Sequence, residues 1–194
     1  MKKIIKNNIL IIALFSTIFS YANDFTYSNN DKGGVTQVTF KNVNEGNILS
    51  IKDINGFVLY KETIKSYGKY SKNFDLSALP DGDYLFEMEK EFEIKIIPFK
   101  VNLKKVDFNK ELESVIFKPV VIVENGFVKV QQSLLNKEPL AVNIYYENGQ
   151  LVHSNKFENT EILSKSYDFS SSVKGNYRIE FSNGNRTFVK EIKI

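Results

Sequence analysis

Hydrophobic and polar positions alternate along most of the chain in short segments, which is the pattern of half-buried β-strands. The segments are rich in β-branched and aromatic residues and are separated by Gly, Asn, Asp or Pro. They predict strands at residues 35–40, 48–54, 57–62, 70–76, 83–88 and 92–101, and again at 117–123, 126–133, 140–146, 150–157, 164–169, 176–181 and 186–194. No stretch of about 11 residues keeps a helical period. We therefore expect an all-β protein with little helix.

The second half of the chain repeats the first at a fixed distance. The segment 75–84, DLSALPDGDY, recurs at 168–177 as DFSSSVKGNY, an offset of 168 − 75 = 93 residues. The same offset joins Asp75 to Asp168, Asn55 and Gly56 to Asn148 and Gly149, Gly82 to Gly175, and Tyr84 to Tyr177. We interpret the halves as two copies of one domain and assign these residues a structural role.

Each copy holds about seven predicted strands in roughly 80 residues, which favours an immunoglobulin-like antiparallel β-sandwich. The predicted fold class is thus two such sandwiches in tandem. The least apolar stretch between the copies lies around Asn109 and carries alternating charges. We place the first domain at residues 23–104, a linker at 105–112 and the second domain at 113–194. Within the first domain, we expect residues 23–34 to form a flexible lead-in with one edge strand at 25–27.

The N-terminus has the pattern of a secretory signal peptide at residues 1–22. Residues 1–8 carry three lysines and no acid, residues 9–19 are apolar, and Ser20-Tyr21-Ala22 supplies small residues for cleavage after Ala22. The apolar run is shorter than the ~20 residues of a membrane-spanning helix. An uncleaved anchor is the alternative.

Loss of this segment changes the charge of the protein. The chain has 26 basic and 23 acidic residues, and removing three lysines leaves 23 of each, so the mature protein is neutral. A neutral surface gives no electrostatic reason to expect nucleic acid or an anionic membrane as partner. The absence of cysteine excludes disulfides, cysteine-ligated metal and acylation of a cysteine. We expect a protein without a membrane span after cleavage, in the periplasm or outside the cell.

Two kinds of local irregularity are predicted. Asn55-Gly56 and Asn148-Gly149 each stand between apolar runs, which indicates a two-residue hairpin turn with positive φ at both positions. Asn183-Gly184 gives the same signal before the last strand. In the segment 92–101 the apolar positions change phase, so we expect a β-bulge near Pro98.

Tyr84 and Tyr177 are the residues most easily mistaken for a functional site. Each stands two residues after a glycine at the start of the penultimate strand of its copy. This resembles the tyrosine corner of Greek-key sandwiches, in which the phenol bonds to nearby backbone. We therefore expect both hydroxyls to be structural.

The other candidates for chemistry are isolated. His153 is the only histidine, and Tyr60 takes its place in the first copy, so we expect an ordinary strand position. Asp75, Asp81 and Asp83 offer oxygens for calcium, but their spacing matches no known loop and favours turn roles. The serines at 170–172 lack the Gly-x-Ser-x-Gly elbow and a histidine base. We expect no enzymatic activity, no cofactor and no metal.

The second copy resembles the C-terminal sorting domain of type IX secretion cargo. The resemblance rests on Asn148-Gly149, on the segments 167–170 and 175–177, and on the segment FVKEIKI at the C-terminus, and it covers about residues 140–194. The first copy carries the same motifs, which implies two tandem copies. Members of that family are small β-sandwiches that direct passengers across a bacterial outer membrane. The resemblance thus implies a secreted or periplasmic/cell-surface protein of a Gram-negative bacterium that meets the outer-membrane secretion machinery.

A second interpretation stays open because the usual plan of the family has one sorting domain after a large passenger. Here a first copy stands in the passenger's place. The alternative is a small periplasmic or cell-surface protein whose immunoglobulin-like repeats bind a surface protein or glycan and have no part in export.

Overall fold

The computed structural model describes residues 24–30, 35–184 and 186–194. The predicted signal peptide at 1–22 and its cleavage point lie outside these residues. The described chain consists of β-strands and two short 3-10 helices at Leu76–Ala78 and Lys110–Leu112, which confirms the all-β prediction. No helix in this part of the chain has the length and apolarity that crossing a membrane requires.

The first domain is a sandwich of two antiparallel sheets. Its strands are β1 Phe25–Asn30, β2 Val35–Val43, β3 Ile48–Asp53, β4 Val58–Thr63, β5 Gly68–Phe74, β6 Gly82–Glu89, β7 Glu93–Asn102, β8 Lys105–Phe108 and β9 Ser114–Phe117. One sheet has the order β1-β2-β5, and the other has the order β4-β3-β6-β7-β8 with β9 also paired to β7.

The second domain repeats this plan with fewer strands. They are β10 Val120–Glu124, β11 Phe127–Ser133, β12 Leu140–Tyr146, β13 Leu151–Phe157, β14 Ile162–Asp168, β15 Asn176–Asn183 and β16 Arg186–Lys193. The sheets have the orders β10-β11-β14 and β13-β12-β15-β16. These orders match those of the first domain, with β16 in the place of β7.

The repeat extends to irregularities of the backbone. The pairing of β3 with β4 shifts between Ile51 and Lys52, and the pairing of β12 with β13 shifts between Ile144 and Tyr145, 144 − 51 = 93 residues later. Tyr84 and Tyr177 lie near the start of the equivalent strands β6 and β15. The two copies therefore share one topology.

Each sandwich has its own aromatic and aliphatic core. The inward positions of the first include Phe25, Phe40 and Phe86, which are almost completely buried. Those of the second include Ile179 and Phe181. Burial of such a side chain contributes about 1.5–3 kcal/mol. Because Phe25 packs in the first core, β1 is a full strand of the sandwich, longer than the edge strand predicted at 25–27.

The predicted linker and the predicted strand 117–123 need correction. Residues 105–108 of the linker form β8, which pairs with β7, and the 3-10 helix Lys110–Leu112 follows. Pro119 interrupts the predicted strand, since proline lacks the N–H donor of a continuous ladder. Phe117 ends β9 in the sheet of the first domain, and Val120 begins β10 in the second domain. The first domain thus extends to residue 117.

The Asn-Gly turns also differ from the prediction. Asp53 N–H donates to the carbonyl of Phe57, so the loop has three residues, and only Gly56 has a positive φ (85°). The Asp53 carboxylate accepts the N–H of Asn55 (3.0 Å) and of Phe57 (2.8 Å) and so favours this longer loop. The second copy turns in the same way around Gly149 (φ 83°).

The predicted bulge at Pro98 is wrong, since β6 and β7 pair in continuous register from Gly82 and Val101 to Glu89 and Ile94. The carbonyl of Pro98 points away from β6 and accepts the N–H of Asn109 (3.2 Å). In an antiparallel strand, the N–H and C=O groups of one residue point to the same side. The N–H that Pro98 lacks would therefore point away from β6, and the pairing of β6 with β7 loses no hydrogen bond.

The second domain contacts the outer face of the larger sheet of the first. Arg186 at the start of β16 forms an ion pair with Glu87 of β6, which also accepts from Lys52 Nζ (2.6 Å). The side-chain amide of Gln132 donates to the carbonyl of Phe117 (2.9 Å). Glu87 is only 5% exposed, and a buried carboxylate needs such partners. The contact therefore holds the start of β16 against the first domain.

Candidate functional site: the last sheet of the second domain

The outer edge of β16 is the clearest difference between the domains. β16 pairs with β15 on one side, and no strand in the described part of the chain pairs with its other side. Gly175 and Ile194 exchange both backbone hydrogen bonds, at 3.2 and 3.0 Å. Because such pairs alternate along an antiparallel ladder, the N–H and C=O groups of Thr187, Val189, Glu191 and Lys193 point to this open edge.

Side chains along β16 divide between the two faces of the sheet. Phe188, Ile192 and Ile194 pack against the second core, whereas Val189 is 49% exposed on the outer face. Lys190 lies on the core-facing side, paired with the buried Ile179. The first domain has the buried Ile97 at that position (190 − 97 = 93). A core-facing lysine on an edge strand is a feature that limits which strands can pair there.

Tyr177 makes the predicted corner. Its hydroxyl donates to the carbonyl of Val173 (2.8 Å), and its ring packs edge-on against Phe169 and Tyr146. The preceding Gly175 has φ 154°, and a Cβ there would lie 2.8 Å from the Tyr146 ring. The loop before β15 is therefore set by contacts that allow only glycine at 175.

The first domain builds the equivalent corner with more room. The Tyr84 hydroxyl donates to the carbonyl of Pro80 (2.8 Å). A Cβ on Gly82 would meet the Tyr84 ring at 3.5 Å, an ordinary contact distance. Both hydroxyls thus make the predicted backbone bonds, but the two glycines differ in how strictly they are required.

A depression of about 560 Å³ opens beside the second corner, and its lining includes His153, Tyr167 and Ser172. Ser172 stands where Leu79 packs onto the first core, and its shorter side chain leaves this end of the second sandwich more open. His153 lies in strand β13, the ordinary strand position predicted, and its exposed ring packs against Tyr167 (5.1 Å between centroids). Burial raises the pKa of Tyr167, so this phenol is a poor nucleophile.

Of the aspartates considered for calcium, Asp75 and Asp81 lie in separate loops and Asp83 lies in strand β6. Asp75 accepts from the hydroxyl of Ser77 (2.8 Å), and Asp81 accepts from the N–H of Leu103 (2.9 Å). Hydrogen bonds from the side chain and backbone of Ser170 lower the pKa of Asp168, the counterpart of Asp75. Across the described ranges, no three His, Asp or Glu side chains are grouped closely enough to hold a metal ion.

Sequence reasoning missed a cluster around Glu62 at the open side of the first sandwich. The Glu62 carboxylate accepts from Lys72, from Tyr60 and from Tyr70 (3.0 Å), and the Lys72 hydrogen bond is the largest cause of its lowered pKa. Burial and Glu62 raise the pKa of Tyr70 to about 12. The second domain has Asn155 in place of Glu62. Only the alternation of polar and aromatic residues in two separate strands could have indicated the cluster.

Residues 124–194 match the family described as "Secretion system C-terminal sorting domain". This part of the chain is therefore similar to a C-terminal sorting domain. The matched segment runs from the last residue of β10 to the C-terminus and so includes the open edge of β16, the Tyr177 corner and the depression. The type IX resemblance predicted for the second copy is confirmed, and it extends further towards the N-terminus than the predicted 140–194. The assignment of the first copy to the same family stays a prediction.

Solved structures resemble the chain more distantly. They include "Biofilm associated protein - BSP domain" (13% identity, TM-score 0.31, covering 88% of this chain and 29% of that one). They also include chicken CNTN1 FN1-FN3 domains (14% identity, TM-score 0.33, covering 87% of this chain and 64% of that one). A third is the human OSCAR ligand-binding domain (8% identity, TM-score 0.26, covering 82% of this chain and 89% of that one). The chain thus spans less than two thirds of the length of the first two. The comparison with curated proteins finds no match.

Proposed function

We propose that this protein is non-catalytic cargo of type IX secretion, and that its second domain is the working export signal. The match of residues 124–194 to the sorting domain carries the proposal. A C-terminal sorting domain implies a secreted protein. The finer statement, that this domain is recognised by the outer-membrane secretion machinery, is supported by the position of the open β16 edge within the matched segment.

In the described part of the chain, the side chains considered for catalysis are engaged in contacts that support a non-catalytic role. His153 and Tyr167 contact each other through their rings, and the Ser170 backbone is engaged with Asp168. General acid–base or nucleophilic catalysis needs an acid, a base and a nucleophile held together. These contacts favour a protein that is carried and displayed over one that performs chemistry.

Location in the cell tests the export function. A fluorescent reporter with a signal peptide is joined to residues 24–194 and produced in a bacterium with type IX secretion. The matched control carries residues 24–117, which keep the first domain with its β9 strand and omit the sorting domain. We expect the first fusion on the cell surface or in the medium and the second in the periplasm. Periplasmic retention of both would contradict the proposal.

A separate observation favours a binding role for the first domain once it is outside. At the tip of its β3–β4 hairpin, Ile54 is 73% and Phe57 is 69% exposed. The sorting domain has Glu147 and Gln150 at these positions. Exposed apolar side chains that occur in one copy only are typical of an interaction surface, here for an apolar patch on a surface protein.

The two copies supply the variant for this second test. Ile54→Glu with Phe57→Gln gives the first hairpin the residues of the sorting domain. We expect the purified variant to bind less to whole cells of the producing bacterium, measured by flow cytometry, while export stays unchanged. Equal binding of variant and wild type would count against a role for this hairpin.

A further inference from the structure

The first domain shows what the edge of β16 can accept. β7, the counterpart of β16, has the same topology but is covered on its outer side by β9 along Glu93–Ile96 and by β8 along Phe99–Asn102, both antiparallel. β16 keeps its edge open along residues 187–193. The sequence between the domains therefore completes the first sheet, while the second sheet has no such strand among the described residues.

The β16 edge is also suited to pairing. Its ladder with β15 is continuous over eight residue pairs, so four residues present evenly spaced backbone donors and acceptors on the open side. Proteins blunt such an edge with proline, a bulge or charged side chains; β16 has no proline and no bulge, and it carries the core-facing Lys190. The first domain has Pro98 at the position of Glu191, where the missing donor faces its own covering strands.

Lys190 restricts the kind of strand that fits. It faces the core side of the sheet, is half-buried, and forms no ion pair with a carboxylate in the described part of the chain. Its own backbone groups point to β15, so a residue opposite it on the open side would form a non-hydrogen-bonded pair, in which side chains lie closest. An acidic residue there would neutralise the lysine, and an apolar one would leave the charge unpaired.

We propose that the open edge of β16 is a docking site for an extended strand of the secretion machinery. The strand adds antiparallel to residues 187–193, as β8 and β9 add to β7, and carries an acidic side chain opposite Lys190. This inference rests on the proposed export function and specifies how the sorting domain is held: by main-chain hydrogen bonds for affinity and by one charge for specificity.

Glu191→Pro is the sharpest test. It removes one N–H from the open edge and none from the β15 ladder, and Pro98 shows that β7 accepts proline at this position without a change of register. Glu191→Ala is the matched control, because it removes the same exposed carboxylate and keeps the N–H. Each variant is made in the full-length chain in a bacterium with type IX secretion, and exported protein is quantified against the periplasmic pool.

We expect wild type and Glu191→Ala to be exported alike, and Glu191→Pro to lose about tenfold in exported fraction, which corresponds to about 1.4 kcal/mol. Unchanged thermal melting shows that the variant is folded. If Glu191→Pro is not folded, Lys190→Glu and Lys190→Arg test the docking site instead. We expect export to be lost in Lys190→Glu and kept in Lys190→Arg. Full export of folded Glu191→Pro, or of Lys190→Glu, would overturn the docking site alone. Retention of the wild type would overturn the export function itself.

Discussion

The two domains of this protein share a topology and differ at one edge. In the first, β7 lies inside a sheet because β8 and β9 cover it. In the second, β16 has the same place and is the last strand of its sheet. The same contrast appears in the core, where Ile97 of β7 is buried and Lys190 of β16 is half-buried.

This difference shows how one fold can serve two purposes. A covered edge removes unpaired backbone groups and makes the domain self-contained, whereas an open edge offers those groups to a partner. The three-residue hairpin loops, the register shift beside them and the hydrogen bonds of the corner tyrosines are alike in both copies. The shared features hold the sandwich together, and the features that differ are the candidates for function.

We expect the largest loss of stability from Phe108→Ala in β8, a strand that covers β7 in the first domain. Phe108 packs against Tyr27 (4.2 Å between ring centroids) and Phe99 (5.4 Å), so the variant opens the covered side of the first core. We expect a loss of about 2–3 kcal/mol, less than the ~3–5 kcal/mol typical of Phe→Ala in a core, because the ring is half-buried. Urea denaturation measures it, with the exposed Lys105→Ala as control. A wild-type midpoint for Phe108→Ala would mean that β8 contributes nothing to the first domain.

The tyrosine corners test what the copies share. Tyr84→Phe and Tyr177→Phe each leave a backbone carbonyl without its 2.8 Å partner. We expect each variant to destabilise its own domain by about 1–3 kcal/mol. Thermal melts of the two variants should shift alike. Melts that match the wild type in both cases would indicate that the hydroxyls have no structural role.

The corner glycines, Gly82 and Gly175, test how the two tyrosine corners differ. Gly175→Ala places a methyl group 2.8 Å from the Tyr146 ring and should cost about 1–2 kcal/mol, whereas Gly82→Ala meets only an ordinary contact and should change stability by less than about 0.5 kcal/mol. Differential scanning calorimetry of the two variants checks this order. Equal losses would show that the two loops are equally tight.

The smallest effect concerns pH and Glu62. Lys72 and Tyr60 hold the folded pKa of Glu62 below its ordinary value of 4.5, so its stabilisation is present above the unfolded pKa and is lost as the pH falls through the folded pKa. Glu62→Asn, which copies Asn155, should cost up to about 1 kcal/mol at pH 7 and less at about pH 3. Urea denaturation at both pH values measures the difference. A cost independent of pH would exclude the ionised carboxylate as its cause.

Much of this architecture could be predicted because alternation and turn residues act locally. The strands of the second copy follow from segments such as Leu140–Tyr146, in which every second residue is apolar. The sequence did not indicate β8 because the charges of Lys105 and Asp107 are typical of a linker, although Val106 and Phe108 alternate with them as inward positions. A four-residue strand is specified by the neighbour that it pairs with, and that neighbour is a tertiary contact.

The open edge of β16 could not be predicted from the sequence because it, too, depends on tertiary contacts. The motifs around Tyr177 indicated the sorting domain, but they describe how the sandwich is closed and not which edge is open. The direction of an N–H in β16 depends on the ladder that Gly175 and Ile194 close. The ion pair of Arg186 with Glu87 joins residues 99 positions apart, beyond any local pattern.

Amide hydrogen exchange of the full-length protein tests the central contrast most directly. The N–H groups of Val189 and Glu191 should exchange at least about tenfold faster than those of Ile94 and Ile96, which point outward from β7 towards β9. The inward amides of Lys190 and Ile97 serve as controls and should both be protected. Equal protection of the outward amides in β7 and β16 would contradict the account, because it would mean that the edge of the sorting domain is already covered.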